Sequence, residues 1–219
     1  STTGMARSFS TSTLYNFSLK RGLIEMISPF FMPKGYNKSK GAIHMDVEEA
    51  MLKRRSVRQF TEEKVTEQQI DKLLHYAMSG PSGLNRQPWE FYVIKNEEIN
   101  NKIIDAGRFS KHHSPLKIIV AGNTHRALPL KMKQIWIQDC SAAIENILLG
   151  VTSLSLGACW EGVYPQEKFV LRIQSILNLP SHIIPLAVIS IGHPKGEVIP
   201  RDQYNSRYVH FVGEENAII

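Results

Sequence analysis

Three arginines and one serine lie within five residues in the segment RRSVR, as Arg54, Arg55, Ser56 and Arg58. A guanidinium group is a planar fork of hydrogen-bond donors, so this cluster suits a phosphate dianion. The segment also follows a predicted helix, and cations stabilise the carboxyl end of a helix without binding any ligand. The motif alone leaves both interpretations open.

A second polar group lies directly before a strand-like run in PSGLNRQPWEFYVI, which spans residues 81–94. Pro81 and Pro88 bound the polar half, and Pro88 restricts the residue before it to extended geometry, while Gly83 allows an unusual backbone angle. Such a rigid rim suits recognition of the edge of a planar heterocycle, although an ordinary helix-to-strand turn has the same composition. The polar side chains of the rim are Ser82, Asn85, Arg86 and Gln87.

Weaker candidates lie further along the chain. Glu161 and Gly162 end a short predicted strand, where a backbone can approach a ligand closely. The Glu161 carboxylate is a candidate general base, but a single carboxylate is equally compatible with a structural role. Arg201 and Arg207 are either further anion-binding cations or solvated surface groups.

Motifs of several enzyme classes are absent from the sequence. There is no G-x-G-x-x-G, Walker, H-E-x-x-H or G-x-S-x-G pattern, so any redox cofactor must be held by scattered polar groups. We expect His112–His113 to be a loop pair and assign no metal ligand, because no carboxylate or cysteine lies at helical spacing from it. Cys140 and Cys159 lack metal-ligand spacing and are too few for a disulfide framework, which favours buried thiols in a reducing compartment.

The positive charge is concentrated at one end of the chain. The net charge is +6, but residues 1–44 carry six basic residues and one acidic residue, and residues 45–219 carry 20 basic and 19 acidic residues. A nearly neutral body disfavours a nucleic-acid-binding face. No stretch approaches the roughly 18 apolar residues that a membrane span requires, so we expect a soluble protein that uses neither nucleic acid nor membrane as a partner.

We expect residues 1–44 to form an N-terminal arm and residues 45–219 to form the folded domain. The arm is rich in serine and threonine and has a single acidic residue, Glu25, a composition typical of organellar transit segments. A structural packing segment or a cloning remnant has the same composition. The predicted location is cytoplasmic, with organellar import through residues 1–44 as the alternative.

The elements that must position these residues follow from capping signals and periodicity. Asp46 with Glu49, and Thr66 with Gln69, mark two helix starts. Further helices are predicted over 97–107, 134–156 and 165–177, and strands over 89–94, 117–122, 158–163 and 184–192. The helix over 134–156 is apolar around much of its circumference, which predicts burial on more than one side, either at the domain centre or in a subunit interface. This order favours one sheet with helices on its faces, in an α+β or α/β sandwich.

Together, these motifs resemble the nitroreductase family of FMN-dependent oxidoreductases, in its compact branch. The resemblance runs from about Met45 to Val212 and rests on RRSVRQF, PSGLNRQPWEFYVI, DCSAAIENILLGVTSLSLGACWEGVYP and PLAVISIGHPKG followed by PR. It implies an α+β three-layer sandwich whose central, mostly antiparallel sheet is flanked by helices, in an intertwined homodimer. Residues 1–44 lie outside it.

The resemblance also implies a cofactor and a site. Two FMN molecules would lie at the subunit interface, with the RRSVR side chains on the phosphate, the ribityl chain and the pyrimidine edge, and with Arg201 returning to the phosphate. Glu161 and Gly162 would lie near the flavin N5 edge through backbone contacts. The loop residues Pro81, Ser82, Asn85 and Gln87 would reach in from the partner subunit.

The implied activity is ping-pong reduction of an electron-poor acceptor, such as a nitroaromatic or a quinone, at the expense of NADH or NADPH. No side-chain acid or base is obligatory in such a cycle, so we assign no catalytic residue. Two alternatives remain open from the sequence. One is a specialised member of the family, a dehalogenase or an oxidase, and the other is a flavin-binding protein without efficient turnover.

Overall fold

A computed structural model of the chain describes residues 45–107, 112–129, 132 and 134–213. The arm expected over residues 1–44 lies outside the described residues. Within them, five α-helices and four β-strands follow the order of the sequence prediction. No helix in this part of the chain combines the length and the apolar character needed to cross a bilayer.

The strands form one antiparallel sheet. They are β1 (Trp89–Ile94), β2 (Leu116–Asn123), β3 (Gly157–Gly162) and β4 (Ile183–Gly192). Their spatial order is β1-β2-β4-β3, and each neighbouring pair is antiparallel. β1 and β3 are therefore the two edge strands, and β2 and β4 form the centre.

The helices are α1 (Val47–Lys53), α2 (Glu67–Met78), α3 (Glu97–Ala106), α4 (Ile135–Ser153) and α5 (Glu167–Leu177). The predicted starts of α1 and α2 are confirmed. The Asp46 carboxylate accepts a hydrogen bond from the Glu49 amide at 2.7 Å, and Thr66 and Gln69 form a reciprocal capping box. These bonds satisfy amides that a helix start otherwise leaves without partners.

Alternate residues of the sheet face two separate hydrophobic clusters, as the two-residue period of a strand requires. Ile118, Val120 and Ile189 face α2 and α4, whereas Ile119 and Val188 face α3 and α5. Helices thus cover both faces of the sheet. The predicted α+β three-layer sandwich with an antiparallel centre is confirmed.

α4 is the central helix of the first layer and lies within the predicted range of 134–156. It contacts α1, α2 and all four strands. Its start approaches β2 so closely that a Cβ on Gly122 would lie 2.2 Å from the Trp136 ring, which explains the glycine at that position. Burial on several sides agrees with the apolar circumference expected from the sequence.

Candidate functional site

The RRSVR segment lies along the outer edge of β3. Ser56 forms an isolated parallel bridge to Ala158, in which the Val57 amide donates to the Ala158 carbonyl at 2.8 Å. The segment then continues beside the chain that leaves β4, where the Thr61 amide donates to His193 and the Lys195 amide donates to Gln59, both at 2.9 Å. These backbone bonds hold the arginine cluster against an edge strand.

Among the described residues, no segment pairs with the rest of the β3 edge, which we call the open edge. Backbone groups in a strand alternate between its two sides, so the amides and carbonyls of Trp160 and Gly162 point to the same side as the Ala158 carbonyl, away from β4. Gly162 is exposed, and a Cβ built on it would meet no atom within 4 Å. The open edge therefore offers backbone hydrogen-bonding groups and room for a flat molecule to approach them closely.

Each arginine of the cluster has a different environment. Arg58 is exposed, and it donates to the Ser56 carbonyl at 3.5 Å. Arg54 pairs with Glu145 of α4 at 3.5 Å. Arg55 is half-buried, and it donates to the Ile199 carbonyl at 3.1 Å and to Gln203 at 3.4 Å, while its Nη2 is buried without a partner among the described residues. A buried guanidinium nitrogen without an acceptor is costly, and an anion would satisfy it.

A cavity of about 290 Å³ adjoins the cluster and is lined in part by Arg55, Ser56, Arg58 and Lys195. The segment after β4, residues 193–213, is called the tail. Arg201 is exposed in the tail, between the two residues that Arg55 contacts, Ile199 and Gln203. The structure therefore brings the tail around Arg201 to the RRSVR segment. Arg207 lies further along, in a short 3₁₀ turn over Ser206–Tyr208.

The predicted polar rim is an exposed loop with an unusual backbone. It contains a 3₁₀ turn over Gly83–Asn85, and Leu84, Asn85 and Gln87 have positive φ angles of 50°, 53° and 47°. The left-handed region costs roughly 1–2 kcal/mol for residues such as Leu84 and Gln87, and less for Asn85, because a short polar side chain can hydrogen-bond locally. Such strain is typical of functional loops that surrounding contacts hold in place.

Several hydrogen bonds hold this loop in shape. The Ser82 hydroxyl accepts from the Gln87 amide at 3.0 Å, and Gln87 donates to the Asn85 side chain at 3.1 Å. The Gly83 amide donates to the Asp139 carboxylate at 2.8 Å, which ties the loop to the start of α4. The loop is thus a braced polar rim, as the sequence indicates. The expectation that Pro88 holds Gln87 in extended geometry is wrong, because the φ of Gln87 is 47° and the hydrogen bonds of the loop hold it there.

The loop and the arginine cluster lie at opposite corners of the sheet. Trp89 pairs with Gly122, and Gly122 pairs with Ile184. In this register the start of β1 is level with the residues just beyond Gly162, where β3 ends. Ser56 lies at the other end of β3. Ser56 lies one strand spacing outside β3, so four strand spacings and about seven residues of strand separate it from Trp89, or roughly 30 Å. One chain therefore does not bring the two halves of the predicted site together.

A buried polar cluster that sequence reasoning missed lies behind the open edge. The fully buried Lys117 ammonium donates to the Ser190 hydroxyl at 2.7 Å and to the His112 carbonyl at 2.8 Å. The Ser190 hydroxyl donates to Glu161 Oε1 at 2.9 Å, and Glu161 Oε2 is buried without a partner among the described residues. The side chain of Glu161 thus points into the protein, away from the position expected of a general base at the open edge.

Burial shapes the protonation of this cluster. Desolvation lowers the pKa of Lys117 to about 8, and the nearby Glu161 opposes that fall. Desolvation raises the pKa of Glu161, against the attraction of Lys117, the Ser190 hydrogen bond and the charge of Arg58. The two charges therefore stabilise each other in a place where either alone would be disfavoured.

The same region contains a group of potential metal ligands. One ligand atom each from His112, Cys159 and Glu161 lies within 4.8 Å of the others. No carboxylate or cysteine lies at helical spacing from the His112–His113 pair in the sequence, as expected. The fold nevertheless brings Cys159 and Glu161 close to His112. Two cations, Lys117 and Arg58, act electrostatically on Glu161, and burial raises the pKa of the Cys159 thiol. Both features oppose binding of a cation, so we assign no metal here.

Comparison with known proteins identifies the family. The model of the nitroreductase family matches residues 51–108 and 107–193. The chain belongs to the nitroreductase family. A relative from Methanothermobacter thermautotrophicus, named "Putative NADH dehydrogenase/NAD(P)H nitroreductase", is 40% identical over 76% of this chain and 86% of its own length.

Solved structures of nitroreductase family members have the same fold. A protein of the same name from Parabacteroides distasonis has a TM-score of 0.72 and 34% identity, and covers 77% of this chain and 98% of its own. An FMN-dependent nitroreductase from Clostridium difficile R20291 has a TM-score of 0.67 and 28% identity, with coverage of 75% and 99%. The family and the fold predicted from the sequence are confirmed.

Proposed function

We propose that this nitroreductase family member is an FMN-dependent oxidoreductase that uses NADH or NADPH to reduce nitroaromatics, quinones or similar electron-poor acceptors. One observation carries the proposal: the arginine cluster is hydrogen-bonded along an edge strand whose remaining backbone, at Gly162, faces open space. A phosphate group and a flat ring system attached to it are the two parts of a flavin mononucleotide. Family membership supports the same assignment.

The residues fit the phosphate end of such a cofactor. Arg55 has a buried guanidinium nitrogen that has no acceptor in the described part of the chain, and Arg54 and Arg58 lie within the same five residues. Arg201 belongs to the tail that contacts Arg55. Ser56 is exposed beside them and would donate or accept through its hydroxyl. These groups would hold a dianion through charge-assisted hydrogen bonds.

The residues also fit the ring end. Gly162 would present its amide to the edge of the flavin, and the absence of a Cβ would permit close contact. Glu161 would contribute through its position in β3, because its carboxylate is turned inward. The flavin, when bound, supplies the chemistry of hydride transfer. The chain's part is to bind and orient the reactants, and no side-chain acid or base is required.

We propose further that the site is completed in a homodimer. The loop that carries Pro81, Ser82, Asn85 and Gln87 lies roughly 30 Å from Ser56 in its own chain, a separation beyond the extended length of one FMN. A partner subunit would bring its own copy of this loop to the open edge.

Exposed apolar side chains indicate where such a partner would pack. α1 exposes Val47, Met51 and Leu52, and the tail exposes Ile199, Tyr204, Tyr208 and Phe211. Several large apolar groups exposed on adjacent segments mark an interaction surface. The tail is mostly extended and would lie across the partner, as the family resemblance implies.

The visible spectrum of the purified protein tests the proposal. We expect a yellow protein, or one that takes up added FMN stoichiometrically, whose absorbance is bleached anaerobically by NADH or NADPH and restored by a nitroaromatic or a quinone. Failure to take up FMN would refute the assignment. Flavin that neither nucleotide reduces would favour a binding protein without turnover, and restoration only by a halogenated aromatic would favour a dehalogenase.

A further inference from the structure

The buried side chains behind β3 form one connected unit of opposite charges. Lys117 of β2 lies opposite Ser190 of β4, which lies opposite Cys159 of β3, and all three point to the face covered by α3 and α5. Glu161 is two residues beyond Cys159 on the same face. The hydrogen bonds run from the Lys117 ammonium to the Ser190 hydroxyl and from that hydroxyl to the Glu161 carboxylate. We call these three residues the Lys117–Ser190–Glu161 unit.

Packing does not explain this unit. The same sheet face is otherwise lined by apolar side chains such as Ile119 and Val188, and exchanging a buried ion pair for apolar residues of similar size is often neutral or stabilising. A buried lysine with its protons directed at three oxygens, on Ser190, His112 and Ser114, is instead a charge held in one position. The carboxylate that balances it belongs to the residue directly before Gly162.

We propose that the Lys117–Ser190–Glu161 unit is a positioning device for the open edge of β3, which fixes the backbone at Gly162 and sets the charge behind the bound flavin. The inference rests on the proposed function, because the flavin is what the edge would hold. Lys117 is two strand spacings from β3, or about 10 Å. A unit charge at about that distance, at an effective dielectric constant of about 20, changes the affinity for one further negative charge roughly tenfold.

The surroundings determine when each charge is present. The charged and titratable groups that face the unit are Arg58 of the RRSVR segment, His112 of the loop before β2, and Cys159 of β3. All three remain in each variant below, so their effects cancel in the comparison. Burial lowers the pKa of Lys117 and raises the pKa of Glu161, so each loses its charge readily once the other is removed.

The test is a double-mutant cycle with Lys117→Met, Glu161→Gln and the combination of both. The dissociation constants of oxidised and reduced FMN are measured between about pH 5.5 and 9.5, a range that brackets the ordinary and shifted values of both groups. Lys95→Met is the matched control, because it also removes one lysine charge, in an exposed pair with Glu67. Ser190→Ala breaks the hydrogen-bonded link and leaves both charges in place.

The two single variants must act with opposite signs. Glu161→Gln leaves Lys117 unbalanced and favours the more negative reduced flavin about tenfold at low pH, an effect that fades as Lys117 loses its proton. Lys117→Met leaves Glu161 unbalanced and disfavours reduced flavin at high pH. The double variant returns to within about twofold of the wild type. Shifts of the same sign, shifts independent of pH, or shifts equal to those of Lys95→Met would overturn the proposal.

A second measurement needs no flavin. The pKa of Lys117 is followed by NMR in the full chain with ¹³C-labelled lysine, in the wild type, in Glu161→Gln and in Ser190→Ala. Glu161 raises the pKa of Lys117, so its replacement must lower that pKa below about 8. An unchanged value would refute the coupling even if Lys117→Met fails to fold. Failure of the chain to bind FMN would refute the proposed function. The NMR measurement would then still decide whether the charges of Lys117 and Glu161 are coupled.

Discussion

Two glycines on the same strand separate a role in cofactor binding from a role in folding. A Cβ on Gly162 would meet no atom within 4 Å, whereas a Cβ on Gly157 would lie 2.8 to 2.9 Å from three atoms of the Val57 side chain. Neither residue has a positive φ angle, so alanine is compatible with both backbones. Gly162→Ala and Gly157→Ala are therefore matched substitutions whose difference lies in what surrounds them.

The expected effects have opposite patterns. Gly162→Ala should leave the free energy of unfolding unchanged or raise it by up to about 1 kcal/mol, since it restricts the unfolded chain without a clash. It should weaken FMN binding by about 1–3 kcal/mol, or roughly 5- to 150-fold, because the new methyl group occupies the surface on which the flavin lies. Gly157→Ala should lower the free energy of unfolding by about 1–3 kcal/mol through overpacking against Val57.

Urea unfolding of the flavin-free protein and a fluorescence titration with FMN measure the two quantities separately. Gly162→Val extends the series, and we expect it to bind FMN more weakly than Gly162→Ala. If both Gly162 variants bind FMN within about twofold of the wild type, a difference smaller than the cost of one poorly placed methyl group, the flavin does not lie against this edge.

Three further predictions follow from individual side chains. The pKa of Lys117 is about 8 in the folded chain and 10.5 in the unfolded chain, so the unfolded chain binds more protons between these values and the free energy of unfolding should rise by about 3 kcal/mol as the pH increases from 8 to 10.5. Urea unfolding should show this rise in the wild type and its loss in Lys117→Met. Leu84 has a φ of 50°, so in urea unfolding the Leu84→Gly variant should be more stable than the Leu84→Ala variant by about 1 kcal/mol. Equal stability of the two variants would show that the backbone of the loop is not strained. Arg54→Ala should weaken FMN binding at least about tenfold in the fluorescence titration, because it removes a charge-assisted contact to the phosphate. The control Arg172→Ala, on α5, should leave FMN binding unchanged, and unchanged binding in Arg54→Ala would argue against the phosphate role.

Local signals in the sequence predicted most of the fold. The helix starts at Asp46 and Thr66 depend on side chains three residues away, so the sequence contains all the information that they need. The strand over 89–94 and the central helix also follow from periodicity and composition within one segment. The position and polar character of the loop before β1 were predictable from its composition, but its backbone was not. The sequence predicts extended geometry at Gln87 and an unusual angle at Gly83, whereas the positive φ angles occur at Leu84, Asn85 and Gln87.

The buried unit behind β3 was not predictable, because it depends on register between strands distant in sequence. Lys117 begins a β-branched run and Ser190 interrupts an apolar one, and either position alone is compatible with a surface-facing residue. Only the pairing of β2 with β4 sets Lys117 opposite Ser190, and a shift of one residue would turn one of them to the other face. The proximity of His112 to Glu161 likewise requires the fold.

The positions of the two polar segments bear directly on the proposed dimer. A twofold axis that brings the Ser82–Gln87 loop of one subunit to the Ser56 edge of its partner brings the partner's loop to the first subunit's edge as well. One such arrangement would therefore complete two equivalent sites, whereas an isolated chain would complete none, since its own halves lie roughly 30 Å apart. The positive φ angles of Leu84, Asn85 and Gln87 add a reason for this arrangement. A strained loop that projects an exposed leucine is costly in a free chain, and contact with a partner or with the flavin on the partner's edge offsets that cost.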